Sequence, residues 1–439
     1  LVEFFVCGPT VYDTSHIGHA RTYLAFDMIT KYLREKEYDV FYLQNITDID
    51  DKIIKRAKEK KTKPKALALK YEKEYLRDMK ALKVDGVTKY ARATDHIKEI
   101  INQVKRLKAK GFAYQMKEGI YYNIKKFKNY GKLSGRKASQ AEDAVSRIDE
   151  SRQKKNKGDF CLWKLSKPGE PKWPSPFGWG RPGWHIEDTA IAEKFFGQQY
   201  DVHGGAKDLI FPHHEAEIAQ MEAISNKRPM VKYWLHTGFL TVNGRKMAKS
   251  LGNFITIKDF INRHGARILR FMVLKTNYRS PIDYNEFSVT QAKRELARVD
   301  EFIDKLKSIK SQSNKKGFVL KYKREFEKAM ADDFNTPQAM AVTFELINKG
   351  NSLINEGNLT KNDSQEILKF FQGIDRFFNF IFWPKMKQVV PKKIIDLIKQ
   401  REKYRRQNNW QKADEIRKEI TNLGWWVEDT KKGSKLKKV

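Results

Sequence analysis

The chain has 439 residues, 40% of them apolar, which is enough for roughly two to four domains and a full hydrophobic core. Its 87 lysines and arginines against 54 acidic residues give a net charge of +33. That field draws polyanions: nucleic acid and an anionic membrane both fit, and a lysine-rich proteome would give the same excess.

Two cysteines, Cys7 and Cys161, exclude a disulfide framework and point to a reducing, cytoplasmic setting. No run of about 18 apolar residues offers a membrane span. The chain opens on Leu1-Val2-Glu3 without a methionine, so native residues are expected ahead of it, and the opening lacks the basic flank and cleavage site of a signal peptide.

Residues 2–7 read as a buried strand stopped by Gly8-Pro9-Thr10, and a helix follows from about Gly18 to Lys36. Val40-Phe41-Tyr42-Leu43 is the next strand, ending at Gln44-Asn45-Ile46-Thr47-Asp48. Strand, helix, strand at this spacing is a βαβ unit, hence an α/β fold on a parallel sheet. Such sheets bind ligands at the carboxyl ends of their strands, where Cys7, His16 and Thr47 fall.

Residues 66–82 and 95–109 pattern as amphipathic helices, and from Gly111 to about Pro182 short strands and a polar segment near 134–159 suggest an insertion. The sheet resumes at Tyr200-Asp201-Val202-His203, with a further strand-like stretch through Trp234–Thr237 and Gly238–Val242. Beyond residue 286, Ala292, Leu296, Val299, Phe302, Ile303 and Leu306 form one seam of a helical bundle. Pro384-Lys385-Met386-Lys387 reads as a linker. A small basic unit follows, with one or two helices, then Trp425-Trp426-Val427-Glu428, then a lysine-rich tail.

Four groups of residues carry chemistry. His16-Ile17-Gly18-His19 places two imidazoles at a helix start, where backbone amides favour phosphate; alone, the string suits a capping histidine equally well. Lys246-Met247-Ala248-Lys249-Ser250 suits a loop whose ammonium groups close on polyphosphate, although alone the string more often marks a solvated basic turn. Cys7, His213, His214 and Glu217 are zinc ligand types, with His213 and Glu217 one helical turn apart, and Trp184-His185-Ile186-Glu187-Asp188 adds donors. Sulfur with imidazole selects zinc over magnesium or calcium. Trp410 and Asp414, one turn apart among Lys403, Arg405, Arg406 and Lys412, suit a single-stranded RNA reader or a surface helix with Trp410 in a small core.

Taken together these blocks resemble a known family. His16–His19 and Lys246–Ser250 are similar to the two signatures of class I aminoacyl-tRNA synthetases, with Ala248 where serine is commoner. Phe5–Asp13, Asn45–Lys52, Gly183–Glu187 and Phe211–Glu215 resemble cysteinyl-tRNA synthetases specifically, in family order from the first residue to about Lys435.

The resemblance implies a Rossmann-type catalytic domain in two halves, 1–87 and 182–225, around an inserted connective domain at 88–181. A stem-contact region with a KMSKS-like loop at 226–289, a helical bundle at 290–384 and an anticodon-binding domain at 385–439 would follow. It implies activation of L-cysteine by ATP, with Mg2+, to cysteinyl-adenylate, and transfer to the 3′ end of tRNA(Cys), by a monomer. His16, His19, Lys246 and Lys249 would be catalytic, with Gly18, Met247 and Ser250 also at ATP. One Zn2+ would be held by Cys7, Asp188, His213 and Glu217, where Asp188 stands at a position usually cysteine. Thr47 and Trp184 would shape the amino-acid pocket, and Trp410 and Asp414 would contact anticodon bases. Two alternatives are a ligase that joins cysteine to an amino-sugar amine and a non-catalytic RNA-binding paralogue.

Overall fold

The computed structural model describes residues 1–136, 154–248, 251–310, 318–383, 391–430 and 433–438. The chain divides into two units, 1–383 and 384–439.

The first unit is built on β1 (Val2–Val6), α1 (Ile17–Glu35), β2 (Val40–Ile46), α2 (Asp51–Glu59), α3 (Pro64–Ala81), β3 (Lys89–Arg92) and α4 (Ile97–Ala109). Alternation along β1 sends Phe4 and Val6 into one apolar layer with α1, and Phe5 and Cys7 into the opposite layer. Cys7 therefore faces the second layer of helices because it is one residue out of step with Val6.

A four-stranded antiparallel sheet follows, made of β4 (Ala113–Met116), β5 (Gly119–Tyr122), β6 (Phe160–Leu165) and β7 (Gly180–Pro182). The chain then returns through α5 (Ile186–Phe196), β8 (Tyr200–Ala206), α6 (Glu215–Ser225) and β9 (Val231–Thr237). The main sheet has the order β3-β2-β1-β8-β9, and every pairing in it is parallel. Strand order reverses between β1 and β8, so the crevice at their carboxyl ends is the place such a sheet offers a ligand.

β3 is an edge strand that the sequence pattern did not reveal. It lies just past residue 88, where the insertion was expected to open, so the separate antiparallel sheet begins only at Ala113. Gly238–Val242 likewise does not extend the main sheet. β10 (Leu240–Val242), β11 (Arg245–Lys246) and β12 (Ile282–Tyr284) form a three-stranded sheet of their own, flanked by α7 (Ile257–His264) and α8 (Ala266–Leu274).

α9 (Glu286–Ser308), α10 (Val319–Ala331), α11 (Thr336–Asn355) and α12 (Lys361–Phe378) make the bundle, and the expected seam from Ala292 to Leu306 is buried in it. Asp27 ties bundle to sheet. Fully buried on α1, it accepts from Arg270 Nη2 at 2.7 Å and from the amide of Gly86 at 2.8 Å, while Arg270 also donates to the carbonyls of Leu82 and Phe378.

The second unit packs α13 (Lys392–Arg406) and α14 (Trp410–Asn422) against β13 (Trp425–Thr430), around Ile394, Leu397, Ile420, Trp425 and Val427. The expected lysine-rich tail is a strand in part: β14 (Gly433–Lys438) pairs antiparallel with β13. β13 needs a partner for its backbone once Trp425 and Val427 are buried on one face.

Candidate active site and metal centre

Two groups of side chains meet at the carboxyl end of the main sheet. The first is a buried donor cluster. The Cys7 amide bonds to the Gly204 carbonyl, which brings the end of β1 against β8. Cys7 Sγ lies 3.2 Å from His203 Nε2, 3.3 Å from His214 Nε2 and 3.8 Å from Glu217 Oε1. His213 Nε2 lies 3.0 Å from Asp188 Oδ2 and 2.8 Å from Glu217 Oε1. The other Asp188 oxygen accepts from Asn45 Nδ2 at 2.6 Å, which fixes the carboxylate.

Cys7, Asp188, His213 and Glu217 thus present four ligand atoms within 4.8 Å of one another, all buried. These are the four residues that the resemblance singled out. Cys7, His203, His214 and Glu217 form a second such set, sharing the thiol and the glutamate. His203 was not singled out from sequence, and His214 was grouped with His213 rather than with β8.

The electrostatics favour a cation. Burial, then the carboxylates of Glu217 and Asp188, push the Cys7 thiol well up. Burial opposes a charge on His213, yet Glu217 and Asp188 outweigh it and raise that imidazole to about 10. Burial also lifts Glu217 to about 7 against the pull of His213. His185, His203 and His214 are held neutral by burial and by neighbouring imidazoles. Glu217 Oε2 is buried and makes no hydrogen bond, although His203 Nε2 stands 3.3 Å away. An orphaned carboxylate oxygen beside a thiol, an imidazole and a second carboxylate is a donor set that fits zinc.

Aromatic rings wall the cluster. Trp184 stacks on His213 at 4.4 Å and Trp234 on His203 at 4.6 Å. His185 Nδ1 meets His213 Nδ1 at 2.8 Å, and His236 Nε2 meets His214 Nδ1 at 2.9 Å, so each ligand-type ring has its far nitrogen engaged. Thr47 is buried beside them and donates its hydroxyl to Glu187.

The second group lies at the start of α1. His16 caps the helix, its Nδ1 accepting from the Gly18 amide at 3.1 Å, and His19 Nδ1 accepts from the His16 amide at 3.2 Å. The two rings stack 3.8 Å apart. A Cβ on Gly18 would come within 2.8 Å of His16 Nδ1, so this cap needs glycine. Burial, then His16, hold His19 well below the usual imidazole range. Both rings line a pocket of about 250 Å³ with Thr10, Met247, Ala248 and Phe254.

Lys246 is exposed on β11, and Asn253 bridges its carbonyl and the Ala248 amide. Beyond the loop, an isolated bridge joins Thr256 to His16, which pins this segment to the histidine pair. Lys249 and Ser250 lie outside the described residues. In the C-terminal unit Trp410 is 57% exposed at the start of α14, with the Arg405 guanidinium 5.9 Å from its ring, and Asp414 is exposed one turn on. Trp410 is not part of the small core.

A parallel sheet split by an insertion, with a paired-histidine helix start and a lysine loop across its carboxyl edge, is the catalytic architecture of a class I aminoacyl-tRNA synthetase. The family model for the tRNA synthetases class I (C) catalytic domain matches residues 1–294, the DALR domain matches 325–380, and the cysteinyl-tRNA ligase anticodon binding domain matches 389–435.

Cysteine–tRNA ligases from Thermococcus onnurineus and Methanococcus maripaludis are 43% and 46% identical to this chain, each over 100% of it and 95% of the relative. The fold is similar to that of Mycobacterium tuberculosis methionyl-tRNA synthetase in complex with methionyl-adenylate, with a TM-score of 0.63 over 87% of this chain and 88% of that one at 16% identity. The chain belongs to the cysteinyl-tRNA synthetases, enzymes that activate cysteine with ATP and charge tRNA(Cys). Among the described residues no helix is long and apolar enough to cross a membrane.

Proposed function

We propose that the chain selects L-cysteine through one zinc ion held by Cys7, Asp188, His213 and Glu217, and works as a cytoplasmic monomer. The observation that carries this reading is the buried four-donor cluster at the carboxyl ends of β1 and β8. A zinc ion there supplies a bond to the substrate thiolate that a serine hydroxyl cannot match, which is a larger discrimination than pocket shape gives between side chains of nearly equal size.

The residues around the ion have separable tasks. Asn45 holds Asp188 so that one oxygen is left to the metal side. Asp188 carries one negative charge, as a cysteine thiolate would, so the formal charge is kept while a harder ligand weakens metal affinity. Trp184, stacked on His213, walls the amino-acid pocket, and Thr47 orients Glu187 beneath it.

At the other end of the substrate the carboxylate of cysteine attacks the α-phosphorus of ATP, brought as its Mg2+ complex, and pyrophosphate leaves. His16 and His19, with the amides at the start of α1, donate to phosphate oxygens, and Gly18 lets the nucleotide come close. Lys246 and Lys249 neutralise the charge that builds on the leaving pyrophosphate, with Met247 and Ser250 completing the loop at ATP. The terminal ribose hydroxyl of tRNA then attacks the activated carboxyl and AMP departs. The stem-contact region, 226–289, and the connective insertion flank that step, while Trp410 and Asp414 read anticodon bases by stacking and hydrogen bonding.

The test is metal content of the purified protein together with pyrophosphate exchange on cysteine and on serine. One zinc per chain and exchange on cysteine alone are expected. A metal-free protein that remains selective for cysteine would overturn the zinc reading.

A further inference from the structure

An open groove of about 680 Å³ runs along α2. Lys52, Lys55, Lys58 and Tyr12 line it, together with Asp51, Glu59 and Glu170. Tyr12 also lines the histidine pocket, so the groove and the nucleotide site share a wall. Lys52 Nζ stands 5.7 Å from the centre of the Tyr12 ring and 5.9 Å from that of Trp184, the indole stacked on His213. One ammonium group therefore sits between the two halves of the active site, held over aromatic faces.

The charges in this groove sort into engaged and unengaged. Asp51 is neutralised by Arg181 at 2.6 Å and Lys164 at 2.9 Å, both from the insertion, which locks the start of α2 in place. Arg56 is taken by Asp13 and by Glu59. Lys52, Lys55 and Lys58 are exposed and form no ion pair among the described residues. They recur at every third residue of one helix, beside an aromatic ring and facing an open groove. Unengaged cations in a row with a ring at the end are what a single-stranded polynucleotide binds: phosphates along the lysines, a base on the aromatic face.

We propose that this groove seats the single-stranded 3′ end of the tRNA acceptor arm, with Lys52 as the positioning residue that brings the last phosphodiester to the junction of the two pockets. Charge complementarity and continuity with the nucleotide site through Tyr12 favour this occupant over ATP itself, whose phosphates have the histidine pair. The lysines on α2 act on the transfer of the cysteinyl group and not on its activation.

The experiment uses the full chain with Lys55 and Lys58 changed to alanine, and a second version with both changed to glutamine. Pyrophosphate exchange, which needs no tRNA, is expected to change less than about twofold. Single-turnover transfer to tRNA(Cys) is expected to fall about tenfold or more, the effect of losing one or more charge-assisted contacts. The slope of log affinity against log salt is expected to drop by about 1.4, at roughly 0.7 per single-strand phosphate.

Binding to tRNA shortened by its last four nucleotides sharpens the result. The unaltered protein should prefer intact over shortened tRNA, and both variants should bind the two alike. An undiminished preference in the variants would overturn the proposal. A loss of exchange in parallel with transfer would also overturn it, and would assign the lysines to ATP or cysteine.

Discussion

The two ends of the active site solve different physical problems. At the amino-acid end every named donor is buried, and the far nitrogens of His213 and His214 and the second oxygen of Asp188 are engaged. At the phosphate end the histidine pair is held by the helix start, while Lys246 is exposed on a short strand leading into a loop. Choosing between two substrates of equal size needs donors that do not adjust, whereas neutralising charge that appears only during reaction needs cations that can approach late. The contrast predicts that damage at one end is seen in metal and specificity, and at the other in rate alone.

The largest expected effect is at the amino-acid end. Cys7→Ala should abolish stoichiometric zinc and lower cysteine-dependent pyrophosphate exchange by about a thousandfold, since even groups that only support a ligand are worth about ten- to a hundredfold. Atomic emission and exchange on one preparation read both. Next comes the phosphate end, where His19→Ala or Lys246→Ala should cost about a hundredfold in the exchange rate. Zinc content and the preference for cysteine over serine should not move. A loss of metal in either variant would erase the division between the ends.

A smaller effect sharpens it. Asp188→Cys should tighten zinc about tenfold in a chelator competition, with little change in turnover, because sulfur replaces one hard ligand at constant charge. The smallest effect lies away from both ends. Burial, then Glu74, raise the Asp78 carboxyl on α3 to about 6. The folded state thus binds this proton more tightly than the unfolded chain, so its contribution to stability is full below about pH 4 and is lost as pH rises through 6. Asp78→Asn should therefore stabilise the protein at pH 7 by about 1 kcal/mol, after allowing for screening by water at the edge of the site, and leave it unchanged near pH 4. Thermal melts at the two pH values check this.

Much of the catalytic core could be read from sequence because its signals are local. The β1–α1–β2 unit follows from two apolar runs around an amphipathic helix, and His16–His19 sits where a helix start would bind phosphate. What stayed hidden was pairwise geometry. His203 occupies a strand that the pattern found, yet only the parallel register that sets it opposite Phe5 brings it beside Cys7. His236 reaches His214 from the edge strand β9 for the same reason. β3 is four residues long and half polar, so it carries no period of its own and is a strand only because β2 offers it an edge. Lys52 closed a quoted block without a role, and Lys55 and Lys58 lay beyond it unremarked, since sequence cannot tell a paired lysine from an unpaired one.

The β13–β14 hairpin has a practical corollary. Val427 and Trp425 pack on α13 and α14, but their strand has its backbone paired through β14, which is drawn from residues a compositional filter would trim as a charged extension. Shortening the protein after Thr430 would strip the hairpin to one strand and leave an unpaired backbone edge open to other chains, so expression designs should keep the residues through Lys438.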